Sequence, residues 1–277
     1  MTKSSLALRD LTLWRRVNDH SGFVLLVSLT NLDEGLRTVM EPGASSFAAR
    51  LETIRAFKAA GCAVGVLAMP FLPGLSDGIE SIHTLYVACA DAGVDFVMPG
   101  GLTLRPGRQK EFYMRALAEY RPDLVKPTLE LYREDRVSGA PLAAASRDLF
   151  DKVSHVRREF AMPYLLPHKV FARFLPPHDA QRLLFRDMLE LYAERGIGTT
   201  ALAKSAGAFD AWLLGLRRAF RRKRSLPDTW LEERFDAALK DGELDLVLDN
   251  QRLSRFTSAV VREGARLDYS SLKLEPG

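Results

Sequence analysis

The sequence predicts an α/β fold, with a parallel sheet built from βα units in its first part and a mainly helical region after it. Three observations carry this expectation. The apolar runs 23–29 (FVLLVSL), 62–69 (CAVGVLAM) and 95–99 (DFVMP) show no polar alternation, as strands do when both faces of a sheet are covered. Amphipathic stretches of helical length separate these runs, 47–60 stopping at Gly61 and 79–92 at Gly93, and glycine is a common helix stop. Beyond about residue 106 the strand pattern ends and helical patterns follow.

Each element has its own justification. Residues 6–17 (LALRDLTLWRRV) read as the helix that follows a strand, and that strand is missing or survives only as residues 1–4. A βαβ sheet that opened on a helix would expose a strand edge and a sheet face, so the chain is expected to begin inside a domain. Residues 47–60 place Leu51, Ile54 and Phe57 on one helix face, and 79–92 turn Ile82, Tyr86 and Cys89 inward. Later helices are expected at 108–119, 122–134, 143–160, 178–195, 208–222, 229–240 and 245–263. The prolines of 162–177 argue against a regular helix there. The expected division is a partial barrel over 1–136 and a mainly helical region over 137–277.

Composition narrows the function classes. Of 277 residues, 47% are hydrophobic and 27% charged, which excludes a disordered or fibrous chain. Lys and Arg number 39 against 35 for Asp and Glu, a net charge of +4 that permits an anionic partner without requiring one. Two cysteines, Cys62 and Cys89, exclude a disulfide framework and any three-cysteine metal site made by this chain. No run of 18 apolar residues and no signal-type start is present, so a cytoplasmic protein with no membrane partner is expected.

The strand ends carry the candidate chemistry, because ligands of parallel α/β folds bind beyond the C-terminal ends of the strands. Ser28 and Thr30 offer hydroxyls suited to a ribose or an amino-acid group. Lys3 would stand at the end of the preceding strand, where its ammonium meets a carboxylate. The alternative reading is that these are ordinary loop residues. Glu41 is expected to hold Arg50 as structural support, with Ser45 or Ser46 capping the next helix. In the stiff loop 70–77, Asp77 is expected as a helix cap. Five histidines show no metal-ligand spacing, and His168 reads as a hydrogen-bonded structural residue. No general acid–base pair, nucleophile elbow or phosphate-binding glycine loop stands out, so no catalytic residue is named. Residues 216–225 (LRRAFRRKRS) put Arg217, Arg221 and Arg224 on one helix face. That face reads either as a nucleic-acid contact or as a solvated face balanced by Glu232 and Glu233.

An ordered set of phrases resembles the radical SAM proteins, most closely the group similar to spore photoproduct lyase. The phrases are Thr2-Lys3-Ser4 ahead of Arg9-Asp10, Val27-Ser28-Leu29-Thr30, Glu41-Pro42-Gly43 with Arg50, and Ala60-Gly61 before 64–70 (VGVLAMP). They continue with 101–108 (GLTLRPGR), Asn250, Leu253 and Phe256, and Asp268-Tyr269. The resemblance implies the C-terminal part of a partial (β/α)6 barrel followed by a helical extension. It implies S-adenosylmethionine and a 4Fe–4S cluster on a Cys-x3-Cys-x2-Cys loop, which together yield a 5′-deoxyadenosyl radical. By position, Lys3 would meet the cofactor's methionine carboxylate, Ser28 its ribose or carboxylate, and Ala68 its adenine side. The chain has no Cys-x3-Cys-x2-Cys, so a truncated chain, inactive alone, is expected. A partner chain supplying the missing half would complete it, and an exposed strand edge beside residues 25–27 would instead favour a dimer. The substrate, small molecule or nucleic acid, is left open. The alternative is a non-catalytic nucleic-acid-binding module using the basic helix.

Overall fold

The structure is a computed structural model that describes residues 1–223 and 225–277. Two compact units divide the chain, Met1–Leu166 and Pro167–Gly277.

The first unit is built on a parallel sheet. After a 3-10 turn at Ser5–Asp10 and α1 (Leu11–Ser21) comes β1 (Val24–Ser28), then α2 (Glu34–Met40) and α3 (Phe47–Ala59). Next are β2 (Ala63–Phe71), α4 (Ile79–Asp91) and β3 (Phe96–Gly101), in the spatial order β1-β2-β3. Ser28 lies beside Leu67, and Leu67 beside Met98. The three apolar runs are thus the three strands. Ahead of them Thr2 forms a parallel bridge with Val27. Its N–H donates to the Leu26 carbonyl at 2.9 Å, and its own carbonyl accepts from the Ser28 N–H at 3.0 Å.

The two faces of the sheet differ. Leu25, Val27, Val64, Val66, Ala68 and Val97 are buried against Ile54 and Phe57 of α3 and Ile82, Tyr86 and Cys89 of α4. That is the helix face expected from the periodicity. The opposite face is mixed: Ser28, Ala63, Leu67 and Phe96 are buried there, while Val24, Leu26, Met69 and Met98 are half-buried. Position 65 on this face is a glycine because the Phe96 ring crosses it: a Cβ there would stand 2.2 Å from a ring carbon.

Past β3 follow α5 (Arg108–Tyr120), α6 (Val125–Leu131) and α7 (Ala143–Glu159). α7 sends Val153 and Val156 into the sheet–helix core, and the Val97 N–H donates to the Pro163 carbonyl at 2.9 Å. The first unit therefore runs past residue 136, where the sequence places its end. Apolar packing holds α7 to α4.

The second unit comprises α8 (His168–Phe171), α9 (Pro177–Glu194), α10 (Thr200–Arg222), α11 (Trp230–Lys240), α12 (Glu243–Leu248) and α13 (Gln251–Arg262). Its core is aromatic. Phe185 meets Phe209 edge-on at 5.4 Å between ring centroids, and Phe209 meets Phe235 at 6.1 Å. The expected helix over 245–263 is two helices, because Asp249 takes a left-handed conformation (φ 47°) and Asn250 caps α13. The expectation of no further strands is overturned by a short antiparallel pair, β4 (Arg266–Leu267) with β5 (Leu274–Glu275). The proline-rich stretch contains one helical turn, α8, directly after Pro167. Among the described residues no helix is long and apolar enough to cross a membrane.

Candidate functional site

The Thr2–Val27 bridge sets Lys3 at the same end of the sheet as the residues that follow β1. There the Lys3 Nζ donates to Glu41 Oε1 at 2.6 Å, and the Arg50 Nη2 donates to Glu41 Oε2 at 2.5 Å. Arg50 is 1% exposed. Its remaining donors reach two backbone carbonyls, Ser45 from Nε and Ser28 from Nη1, both at 2.9 Å. Glu41 therefore does not fork onto Arg50 alone; it links Arg50 to Lys3. Burial by itself would raise the Glu41 carboxyl, but the hydrogen bonds from Lys3 and Arg50 outweigh it and hold the group below its ordinary value. Ser46 is the helix cap, accepting from the Ala49 N–H at 3.2 Å.

Beside this network is a pocket of about 170 Å³ whose walls include Lys3, Thr30, Asn31, Glu41, Pro70 and Tyr113. Thr30 Oγ1 accepts from Asn31 Nδ2 at 3.1 Å, which leaves its hydroxyl hydrogen free to donate. Lys3 has three donors and gives one to Glu41. The buried Tyr113 hydroxyl has no hydrogen-bond partner, and burial, with the nearby Asp77 charge, pushes it up to about 12. Two of the residues read from the sequence, Lys3 and Thr30, thus share one pocket. The other two do not line it. Ser28 gives its carbonyl to Arg50, and Ala68 is 0% exposed within the sheet–helix core.

A larger cavity, about 730 Å³, opens at the ends of β2 and β3 and shares the Leu102 wall with the first. Phe71, Met98, Tyr132, Leu142, Phe150 and Tyr164 form much of its surface. Its walls are pinned by backbone pairing. Tyr132 Oη donates to the Leu102 carbonyl at 2.6 Å, the Leu104 N–H to Gly139 at 2.8 Å, and the Leu142 N–H to Leu131 at 2.8 Å. Asp77 does not cap a helix as expected; its Oδ1 accepts from the Gly74 N–H at 2.7 Å and tightens the loop from within.

Cys62 and Cys89 are 1% and 0% exposed, and burial pushes the Cys89 thiol up to about 12. Among the described residues no group of three or more His, Cys, Asp or Glu side chains is placed to hold a metal. His168 behaves as the sequence suggests, its Nδ1 accepting from the Leu267 N–H at 3.0 Å. On the basic run, Arg217 is paired with Asp179 rather than with Glu232 or Glu233. Arg221 is exposed near the end of α10, and Arg224 lies outside the described residues. Asn31, Tyr113 and the bridging role of Glu41 escaped the sequence. Asn31 sits next to a chosen residue, but an aromatic inside a helical pattern gives no signal of its own.

No family profile matches the chain, and no solved structure matches it. Uncharacterized proteins of Mycobacterium tuberculosis and Mycobacterium bovis are each 37% identical to it over 133 residues, 48% of this chain and 39% of the relative. An uncharacterized protein, ORF301, of Acidianus two-tailed virus is 33% identical over 121 residues, 43% of this chain and 39% of the relative. The matched stretches thus span about two-fifths of these relatives.

Proposed function

We propose that this chain contributes the C-terminal strands of a radical SAM barrel and part of its S-adenosylmethionine pocket. The observation that carries the reading is the parallel Thr2–Val27 bridge, which extends the sheet by a further rung and brings Lys3 to the pocket that Thr30 also lines. The partial exposure of Val24, Leu26, Met69 and Met98 on the second face supports it, since parallel sheets are ordinarily covered on both faces and more barrel strands would cover these four. The ordered strand-end phrases support it as well.

The roles follow from the free donors. The two unused Lys3 donors would take a ligand carboxylate, and the Thr30 hydroxyl would donate to a ribose or carboxylate oxygen. Glu41 and Arg50 would fix Lys3 in place. S-adenosylmethionine supplies radical chemistry when paired with a cluster. With Cys62 and Cys89 both buried, the cluster ligands would come from elsewhere, and this chain alone is expected to be inactive.

The test reads the coding DNA ahead of Met1 in all frames for a Cys-x3-Cys-x2-Cys segment. The joined chain is then reconstituted with iron and sulfide. The expected result is S-adenosylmethionine cleavage to 5′-deoxyadenosine, with Lys3→Ala raising the KM for the cofactor about tenfold, or about 1.4 kcal/mol. A missing segment, or a cluster-loaded chain that leaves the cofactor intact, would overturn the reading.

A further inference from the structure

We propose that the larger cavity binds a mainly apolar small molecule that is neutral or carries one positive charge, and that it excludes phosphorylated and nucleic-acid ligands. The inference deepens the reading above by naming the class of substrate held beside the cofactor pocket. The wall chemistry that carries it stands apart from the cofactor.

Size and surface come first. A volume of about 730 Å³ falls in the range that encloses a drug-sized molecule. Phe71, Met98, Leu142, Phe150 and Tyr164 present aromatic rings and aliphatic chains, and the Tyr132 hydroxyl is already spent on the Leu102 carbonyl.

Charge decides the class. Among the described residues no Lys, Arg or His lines the cavity; its charged wall groups are Asp77 and Asp148. Asp148 is held by Lys152 at 2.6 Å. Asp77 accepts from the Gly74 N–H through Oδ1 at 2.7 Å and forms no salt bridge among the described residues. Its negative field helps to raise the Tyr113 and Tyr132 hydroxyls. The Arg157 guanidinium does not line the cavity; it sits 4.5 Å from the centroid of the Tyr164 ring. Phosphate ligands take their affinity from cations and from backbone amides. A cavity whose free charge is a carboxylate repels them and attracts an ammonium.

The test titrates the whole chain with two fluorescent probes, a neutral phenylnaphthylamine and its anionic sulfonate counterpart. The neutral probe is expected to fill one saturable site at least about tenfold more tightly than the sulfonate. Asp77→Asn narrows that ratio, and reading both probes on the same variant cancels any change in the folded fraction. Ala145→Phe, which sets a ring in the wall, weakens the neutral probe about tenfold with an unchanged far-ultraviolet circular dichroism spectrum. A single-stranded oligonucleotide leaves the neutral probe in place. Equal affinity for both probes, displacement by the oligonucleotide, or an unaffected Ala145→Phe would overturn the proposal. None of these readouts involves cofactor cleavage, so this proposal and the radical SAM reading fail separately.

Discussion

His168 and Asp187 are buried side chains whose charged forms are both disfavoured by burial, with opposite consequences. Burial, with the positive charge of Arg266, pushes the His168 imidazole down to about 4. Burial pushes the Asp187 carboxyl up to about 6, against the hydrogen bond it accepts from the Tyr269 hydroxyl. The folded state prefers a neutral histidine, so this contribution is present above the unfolded value of 6.5 and is lost as pH falls toward about 4. It also prefers a protonated aspartic acid, so that contribution is present below the unfolded value of 3.8 and is lost as pH rises through about 6. Between about pH 4 and about pH 6 the two slopes oppose each other, each amounting to about 2 kcal/mol. The lowered Glu41 and His178 groups also add stability as pH rises through this window, so each contribution is read by urea denaturation as the difference between the native protein and a variant. Relative to the native profile, Asp187→Asn should make stability climb more steeply with pH, and His168→Gln less steeply. Two variants with the same slope would contradict the assignment.

The strands were legible because their apolar runs carry a signal that no helix of this chain imitates. The helix over 47–60 and that over 79–92 were legible because each repeats apolar residues at helical spacing, Leu51, Ile54 and Phe57 in one and Ile82, Tyr86 and Cys89 in the other, and a glycine ends each of them. Other elements were hidden for local reasons. The start of α10 contains Ser205 and Gly207, which weaken a helical pattern, yet Ser205 is buried and donates to the Leu248 carbonyl at 2.7 Å. β4 and β5 are two residues each, too short for any periodicity. Within β2, the tight spot is Gly65 under Phe96. Gly65→Ala is expected to cost about 2 kcal/mol through overpacking, read as a lower urea midpoint at an unchanged slope. Adding Phe96→Leu should recover part of that loss, since the two sites share one contact. Strictly additive losses would show that the ring is not the obstacle.

At the scale of the whole chain, two of the four residues read from the strand ends, Lys3 and Thr30, line one pocket. Lys3 and Thr30 come together because parallel strands align their ends, a rule that needs no coordinates. Ser28 and Ala68 do not join them: Ala68 is turned into the sheet–helix core, and Ser28, 4% exposed, lies behind the Arg50 guanidinium that holds its carbonyl. Tyr113 reaches the pocket from α5, a helix whose placement no local pattern encodes. The division at Leu166 was hidden in the same way, since α7 joins the first unit through contacts with distant residues.

The rung at Thr2 has a further consequence in the time domain. The Ser28 amide points to the Thr2 carbonyl, so its proton can exchange with heavy water only when the first residues lift away from the sheet. That single amide is a clock for the seating of Lys3. Adding S-adenosylmethionine should slow its exchange if the cofactor clasps Lys3, while amides of β3 keep their native rate. An unchanged Ser28 rate in the presence of bound cofactor would mean that the ligand is held without the help of the first residues.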